Sequence, residues 1–554
     1  MDKYGYRLKK NTTEPKAEKR YHKTDLMQMT TFQLREICRR EKLIQGIIDP
    51  MDKEELVRVI LRFRGADEYF FIQRPDEAGW EAVERVFRES RLLEKDNLSL
   101  RCSSKITVYE GLAVGFYDGL VLPYNRELAG TNAFIVGGDG RLCAIMNVMP
   151  REGNADVLYL TMEAGMNCRE SEMKNYSLYC MGRRESELLY QIYKERRDFL
   201  PQYLKVFRVL LLDFEVRKPI SLSLPIAMDF GTSNTTAGVF LDRRYFEQMG
   251  LKDGERGLRC DQVNYALFYD SSHYFQETTL FPSAAGVKSL GGGEPELLFG
   301  YDAVRLANNS YIDEGFCVFY DIKRWIGDEN KLEEISDQEG HRSWLSRKDL
   351  LKAYFIHVIQ AVCNRFKCRA DAVHISCPVK QKAQFSRLFA EVLPECAVEE
   401  KDRIDEGVSV LYHTISGMMK KGSIEEGREY RALILDCGGG TTDLCSCSFR
   451  IWDKRAAYRV EINMAYENGD TDFGGNNLTY RVMQLLKVAI VHRLYPSAVK
   501  PEKEILAGYD RDVFRFVDQY GAGALYRELE EEYEKAEAYL PTRFRRFEQQ
   551  SRSA

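Results

Sequence analysis

Long apolar runs are what this chain most clearly lacks: no stretch of its 554 residues approaches the ~18 consecutive apolar residues a transmembrane helix needs. The first twenty residues, Met1 to Arg20, are charged and have no apolar centre, so they do not form a secretory signal. Both features lead us to expect a cytoplasmic chain with no membrane partner. No G-x-x-x-x-G-K-[ST] run occurs, which excludes a P-loop. The fourteen cysteines contain no C-x-x-C pair, and the seven histidines do not cluster beside them. A zinc framework is therefore not indicated, and reduced, mostly buried thiols are expected. Cys445 and Cys447 alternate along a strand-like run and should share one face. A net charge of −5 carries no overall signal for nucleic acid.

What remains is an ordinary globular composition, 44% hydrophobic and 30% charged. At ~150 residues per domain the length suggests three or four domains. Residues 1–25 are polar and basic and read as a disordered arm. Residues 26–65 read as two short amphipathic helices. The first carries Phe32, Leu34, Ile37 and Cys38 behind an N-cap at Thr30 or Thr31. The second opens at Asp49-Pro50 or Asp52 and carries Leu56, Val57, Ile60 and Leu61. Leu34, Ile37, Leu43, Gly46, Lys53, Leu56 and Ile60 resemble the pattern of a SAP-type helical module. Residues 1–65 hold sixteen Lys+Arg against ten Asp+Glu, an excess of six in an acidic protein. That excess suits contact with DNA phosphates, and equally a plain helical hairpin with a solvated face.

Residues 66–220 read as an α+β accessory region without recognisable chemistry. Residues 66–100 look helical, with Trp80, Val83, Val86 and Phe87 in one stripe. Short apolar runs between Lys105 and Ala164 look like strands, with a turn at Gly137-Gly138-Asp139-Gly140. The charged segment from Glu170 to Asp198 looks helical.

The informative part begins after Pro225. Ile226 to Phe240 climbs to Asp229, breaks at Gly231, passes through Thr232, Ser233, Asn234 and Thr235, and turns apolar again. This reads as strand, tight turn, strand, with a carboxylate at the strand end. About two hundred residues later Ala432 to Cys445 repeats the grammar: an apolar strand to Asp436, then Gly438-Gly439-Gly440, Thr441, Thr442 and Asp443. A triple glycine fills no core and costs entropy, so it implies close backbone approach to something, most simply an anion. Two such loops face to face could clamp a polyphosphate, their aspartates holding a hydrated Mg²⁺.

These paired loops resemble the phosphate motifs of the actin, sugar-kinase and heat-shock ATPase superfamily. The intervening pieces resemble its DnaK-type, heat-shock 70-kilodalton branch. They are Thr278-Thr-Leu-Phe-Pro-Ser283, Phe299-Gly300, Val318 to Gly327 with Lys323-Arg324, His374 to Val379, Ile404-Asp405-Glu406-Gly407, and Gly469 to Asn476. They occur in family order. The resemblance implies an α/β, actin-like ATPase fold of duplicated ribonuclease-H-like subdomains over residues 225–554, preceded by the small helical module and the β-rich module. It implies ATP and Mg²⁺ as cofactors and weak ATP hydrolysis, with a client protein or a co-chaperone-like partner. Asp229 and Asp436 would lie near the metal. Gly231, Thr232, Ser233, Gly438, Gly439, Gly440, Thr441, Gly474, Gly475 and Glu534 would bind nucleotide. Lys323 would steady charge on the γ-phosphate, while Glu406 and Asp443 would orient the attacking water.

Three departures from the family pattern shape the expectation. Gly407 stands where the family has a proline linked to communication between domains. Glu537-Ala538 replaces a cationic pair on the adenosine helix, and Pro541 replaces a serine, which leaves the base preference open. The family's last strand-turn and peptide-binding domain have no counterpart before Ala554, so a C-terminally truncated domain or a cleft closed in another way is expected. A non-catalytic nucleotide-dependent scaffold and a filament-forming relative are the rival expectations. A sugar kinase is disfavoured, because no sugar-binding carboxylate motif occurs.

Overall fold

Two side chains expected to cap helices do so. Thr30 accepts from the Gln33 amide while the Gln33 side chain accepts from the Thr30 amide, and Asp52 and Glu55 make the same reciprocal pair. These details come from a computed structural model that describes residues 20–41, 43–44, 50–65, 69–73, 75–95, 105–151, 154–194, 199–270, 276–309, 317–337, 339–377, 381–398, 406–454, 457–470, 474–506, 513–520 and 522–540. Most of the basic arm lies outside these residues, as do Gly46, Asp49, Ile404, Asp405, Asp472 and Pro541. The chain divides into two compact units, the first made chiefly of Met1–Lys218 and the second of Pro219–Ala307, Ile312–Asp337 and Arg342–Ala554.

In the first unit, helices α1 (Lys23–Gln28), α2 (Thr31–Arg40) and α3 (Lys53–Arg64) bury Leu26, Leu34, Ile37, Cys38, Leu56, Val57 and Ile60 in a small core of their own. Phe32 does not join it and is 68% exposed. Two residues before Leu34 on a helix is ~200° round the axis, so Phe32 belongs to the opposite face. Helix α4 (Glu77–Glu89) presents the expected stripe of Trp80, Val83, Val86 and Phe87 to the larger core. It ends sooner than its surroundings suggest, because β1 (Arg91–Glu94) follows at once.

The remaining strands of this unit are β2 (Lys105–Tyr109), β3 (Val121–Pro123), β4 (Thr131–Gly137), β5 (Leu142–Arg151), β6 (Asn154–Thr161) and β7 (Tyr176–Met181). Helix α5 (Arg183–Lys194) then leads to β8 (Tyr203–Leu211) and β9 (Asp213–Arg217). They form a seven-stranded sheet in the order β1-β8-β7-β4-β5-β6-β3, with β2 and β9 paired separately. The expected turn at Gly137–Gly140 joins β4 to β5. The expected helix from Glu170 to Asp198 is in fact strand β7 and then α5. β7 lies between β4 and β8 and is buried on both faces, so it lacks the alternation that marks a half-exposed strand.

The second unit is mixed α/β. Strands β10 (Ile226–Phe230) and β11 (Asn234–Leu241) form the expected hairpin, followed by α6 (Arg243–Met249) and β12 (Gln262–Tyr265). Short strands β13 (Phe268–Asp270), β14 (Gln276–Thr278), β15 (Phe281–Pro282), β16 (Ala285–Ser289) and β17 (Glu296–Phe299) lead to α7 (Tyr301–Asn309). Then come β18 (Val318–Phe319), β19 (Leu332–Ser336), β20 (Arg342–Ser346), α8 (Arg347–Phe366), β21 (Ala372–Ile375), α9 (Lys382–Val392), β22 (Ala397–Val398) and α10 (Glu406–Lys420).

The main sheet here runs β12-β11-β10-β21-β22. Its first three strands are antiparallel, and β21 and β22 are parallel to β10. A second sheet, β23 (Tyr430–Cys437), β24 (Thr442–Asp453) and β25 (Tyr458–Asp470), is an antiparallel meander whose inner face packs on α10 through Leu411, Ile415, Phe449 and Ile451. Cys445 and Cys447 are both buried, opposite Ile434 and Ala432, and every described cysteine is a free thiol. Helices α11 (Gly475–Leu494), α12 (Glu502–Leu506), α13 (Val513–Tyr520) and α14 (Ala522–Glu537) complete the unit, α14 lying against α11. No described helix is long and apolar enough to cross a membrane.

Candidate functional site

Asp229 ends the apolar climb of β10, where strand alternation points it away from buried Met228 and Phe230. Its Oδ1 accepts from the Ser376 hydroxyl at 2.7 Å. The turn that follows is held from beneath. Ser283 Oγ donates to the Gly231 carbonyl at 2.7 Å, the Ser283 amide donates to the Ser233 carbonyl at 2.9 Å, and Tyr354 donates to Thr235 Oγ1 at 2.8 Å. Tyr354 is fully buried, and burial pushes its phenol well above the ordinary tyrosine range, so it stays a donor.

The second loop has the same plan. Asp436 stands opposite Asp443 across β23 and β24, and the Gly438 amide donates to the Thr441 carbonyl at 2.9 Å to close the turn. The start of α11 is stitched to this loop: the Gly475 amide donates to the Gly438 carbonyl at 2.9 Å and the Asn476 amide to the Gly439 carbonyl at 2.8 Å. A Cβ on Gly474 would lie 2.6 Å from the backbone of Gly439 and Gly440. Only a glycine lets these chains meet there.

The two loops do face one another. A Cβ on Gly439 would run into the Ser233 hydroxyl, and one on Gly440 would lie 2.8 Å from the Thr232 methyl. Asn476 joins three segments, its amide nitrogen donating to Ser233 Oγ at 3.3 Å and to both oxygens of Asp321 at 2.8 and 2.9 Å. Asp321 sits in the left-handed region at φ 54°, just before the turn Ile322–Trp325 that carries Lys323 and Arg324. Burial raises its carboxyl above the usual range, against the opposing pull of Asn476 and Arg324. Arg324 donates to Asn477 at 2.8 Å, while its buried Nε, 2.9 Å from where a Gly440 Cβ would stand, has no hydrogen-bond partner among the described residues.

Lys323 is only 3% exposed, and its Nζ lies 2.6 Å from Glu406 Oε1 at the start of α10. Burial pushes the Glu406 carboxyl up to about 7; Lys323 opposes the rise, and the charges of Asp229 and Asp443 add to it. Asp443 and Thr441 are also buried. A cleft of about 650 Å³ is lined by Asp229, Gly231, Thr232, Ser233, Lys323, His374, Ser376, Glu406, His413, Asp436, Gly438, Gly439 and Thr441 among others.

Nearly every residue expected at the site from the sequence is thus drawn to one place. Glu534 is not among the cleft residues: it is exposed on α14, whose buried acid is Glu532, accepting from the Lys500 amide at 2.8 Å. The structure adds Ser376, Asp321, Asn476 and Tyr354, whose roles depend on partners 119 to 243 positions away. The signal that could have found three of them was adjacency, since Asp321, Ser376 and Asn476 lie in the Lys323, His374 and Gly474 motifs.

The donor set fits an anion with a hard cation beside it. Hydroxyls of Thr232, Ser233 and Thr441, the backbone of Gly231, Gly438 and Gly439, and the Lys323 ammonium line the cleft and offer donors. Asp229 and Asp436 line the same cleft. No protein-family model matches the chain, and a search of curated proteins found no match.

Proposed function

We propose that the second unit binds the phosphates of a nucleoside triphosphate, ATP in the first instance, between the Asp229 and Asp436 loops, and hydrolyses it slowly. One observation carries the reading: two strand–aspartate–glycine loops, about two hundred residues apart in sequence, meet at contact distance over a buried lysine–glutamate pair. Asp229 and Asp436 would hold a hydrated Mg²⁺, which when bound neutralises charge on the phosphates. The loop amides and hydroxyls bind and orient phosphate oxygens. Arg324 carries a buried Nε–H beside the second loop that has no hydrogen-bond partner among the described residues, with Asp321 Oδ2 at 4.0 Å. Lys323 exchanges its contact with Glu406 for a phosphate oxygen. Glu406 is thereby released to take a proton from water held with Asp443, and its raised pKa suits a base working near neutrality.

The sheet orders support the wider reading of an actin-like ATPase domain with duplicated ribonuclease-H-like halves, of the kind the DnaK-type resemblance implies. Three antiparallel strands precede two parallel ones in the first sheet, and an antiparallel trio with an equivalent aspartate–glycine turn forms the second.

Single-turnover hydrolysis of ATP by wild type and Lys323→Ala tests the catalytic part. The variant should be at least tenfold slower, with the wild type clearly above buffer. Equal rates would leave a nucleotide-dependent scaffold in place of an enzyme.

A further inference from the structure

Two cysteines meet where helix α8 ends. The helix runs to Phe366 and stops because Lys367 turns into the left-handed region at φ 52°. A residue in that conformation closes a helix by sending the next amides back to one carbonyl. Both the Lys367 amide and, at 3.2 Å, the Cys368 amide donate to the Cys363 carbonyl. Such a cap brings its first and sixth side chains into contact, a place that helices commonly fill with two apolar groups. Here both are thiols. Cys363 and Cys368 are buried, and the Cys368 S–H donates to the Cys363 sulfur. Flanking backbone holds the cap in place: the Ile220 amide donates to the Lys367 carbonyl and the Arg369 amide to the Ile220 carbonyl, each at 2.9 Å. We infer that Cys363 and Cys368 are a redox-reactive pair that a small peroxide converts into a disulfide across the end of α8.

A disulfide needs its two Cα atoms within about 7 Å and their Cβ atoms turned toward each other. The amide-to-carbonyl bond between the two residues meets the first condition, and the thiol-to-thiol bond meets the second. Cys363 is the attacking sulfur. The hydrogen bond it accepts from Cys368 holds its thiol below the ordinary range against the effect of burial, and it is the more accessible of the two, 7% against 1%. The same donated bond, with burial, keeps Cys368 protonated. The Cys363 thiolate attacks one peroxide oxygen and the O–O bond breaks. Hydroxide leaves, taking up the proton that Cys363 released, and Cys363 becomes a sulfenic acid. Cys368 then attacks that sulfur: the S–S bond forms, the S–O bond breaks, and the departing hydroxide takes the Cys368 proton. Two thiols and one peroxide thus become one disulfide and two waters, with two electrons passing from sulfur to oxygen. Burial of both sulfurs favours a small peroxide over a bulky disulfide as the oxidant. Cys396 is the rival partner. Burial and then the nearby Cys363 sulfur raise its thiol, but that thiol donates to the Ala370 carbonyl at 3.3 Å.

The test treats the reduced full chain, in native buffer without nucleotide, with hydrogen peroxide, then blocks the remaining thiols and digests with trypsin. Cleavage after Arg365 and Lys367 puts the two cysteines on separate peptides. The disulfide therefore appears as residues 353–365 joined to Cys368-Arg369, two hydrogens lighter than the free peptides together. We expect this species, with loss of both free thiols, before the buried and separate Cys38 and Cys180 react, and we expect dithiothreitol to reverse it. In Cys368→Ser the attacking sulfur has no partner, so Cys363 should be trapped as its sulfenic acid by dimedone. A native wild type whose two thiols stay free in a large excess of peroxide overturns the inference without reference to any variant. So does a link that forms only after Cys38 and Cys180 have reacted or only in urea, a Cys363–Cys396 link in its place, or a Cys368→Ser chain that leaves Cys363 unmodified. None of these outcomes depends on nucleotide binding, so the phosphate reading stands or falls separately.

Discussion

Two adjacent glycines at the head of α11 offer a sharp contrast. A methyl group on Gly474 would lie 2.6 Å from the Gly439 carbonyl and the Gly440 amide nitrogen, both backbone atoms of the second loop. Neither can swing aside as a side chain would, so the loop must shift. A methyl group on Gly475 would meet only the Gly438 carbonyl oxygen, at 3.8 Å, an ordinary contact. Forcing an extra carbon into a closed site typically costs ~1–3 kcal/mol. If the strain is relieved by displacing the loop that holds the phosphates, the same energy appears in affinity as a loss of roughly 5- to 150-fold. Calorimetric titration of Mg·ATP into Gly474→Ala should therefore show that weakening, while Gly475→Ala binds as wild type does. Thermal melts of both variants report whether the fold is kept. Equal affinities for the two variants, with both folded, would refute the proposed contact between α11 and a phosphate loop.

Other expectations follow from the same geometry. Glu406 has a folded pKa raised by burial to about 7, above its ordinary value near 4.5. Its protonated form is thus favoured by folding, and the stability it contributes is complete below pH 4.5 and lost as pH rises through about 7. The unfolding free energy of wild type minus that of Glu406→Gln should fall across this window in denaturant titrations; a difference that rises with pH contradicts the buried placement. As a base, the same group predicts a hydrolysis rate that climbs with pH and reaches a plateau once its carboxyl is ionised. Tyr354→Phe removes a buried donor to Thr235 and to the Pro282 carbonyl at 3.2 Å, and should cost ~1–3 kcal/mol in chemical denaturation. A neutral result would mean that the network under the first loop is slack. Removing residues 1–65 should abolish any salt-dependent retention on DNA, and unchanged retention would end the DNA reading of the helical module.

The loops were legible in the sequence because their chemistry is local. An apolar run ending at aspartate and glycine is a strand and a turn whatever surrounds it, and both hairpins formed where expected. The caps at Thr30 and Asp52 were legible for the same reason. The elements that misled were those whose environment is set from afar. β7 runs between β4 and β8 with both of its faces buried, so its pattern does not alternate. Phe32 joined an apolar spacing while standing on the wrong side of its helix. Asn476, Asp321 and Ser376 carry no signature of their own; their value comes from a serine hydroxyl, a helix start and a strand end brought together by the fold.

The central claim is that the Asp229 and Asp436 loops together clamp a magnesium nucleotide, and equilibrium binding reads it most directly. Titration of ATP into the purified full chain with Mg²⁺ should show saturable one-to-one binding. That binding should weaken at least tenfold in Asp229→Asn and in Asp436→Asn, and likewise when Mg²⁺ is chelated. Absence of binding to the wild type at millimolar ATP, or binding indifferent to both aspartates and to the metal, would contradict it.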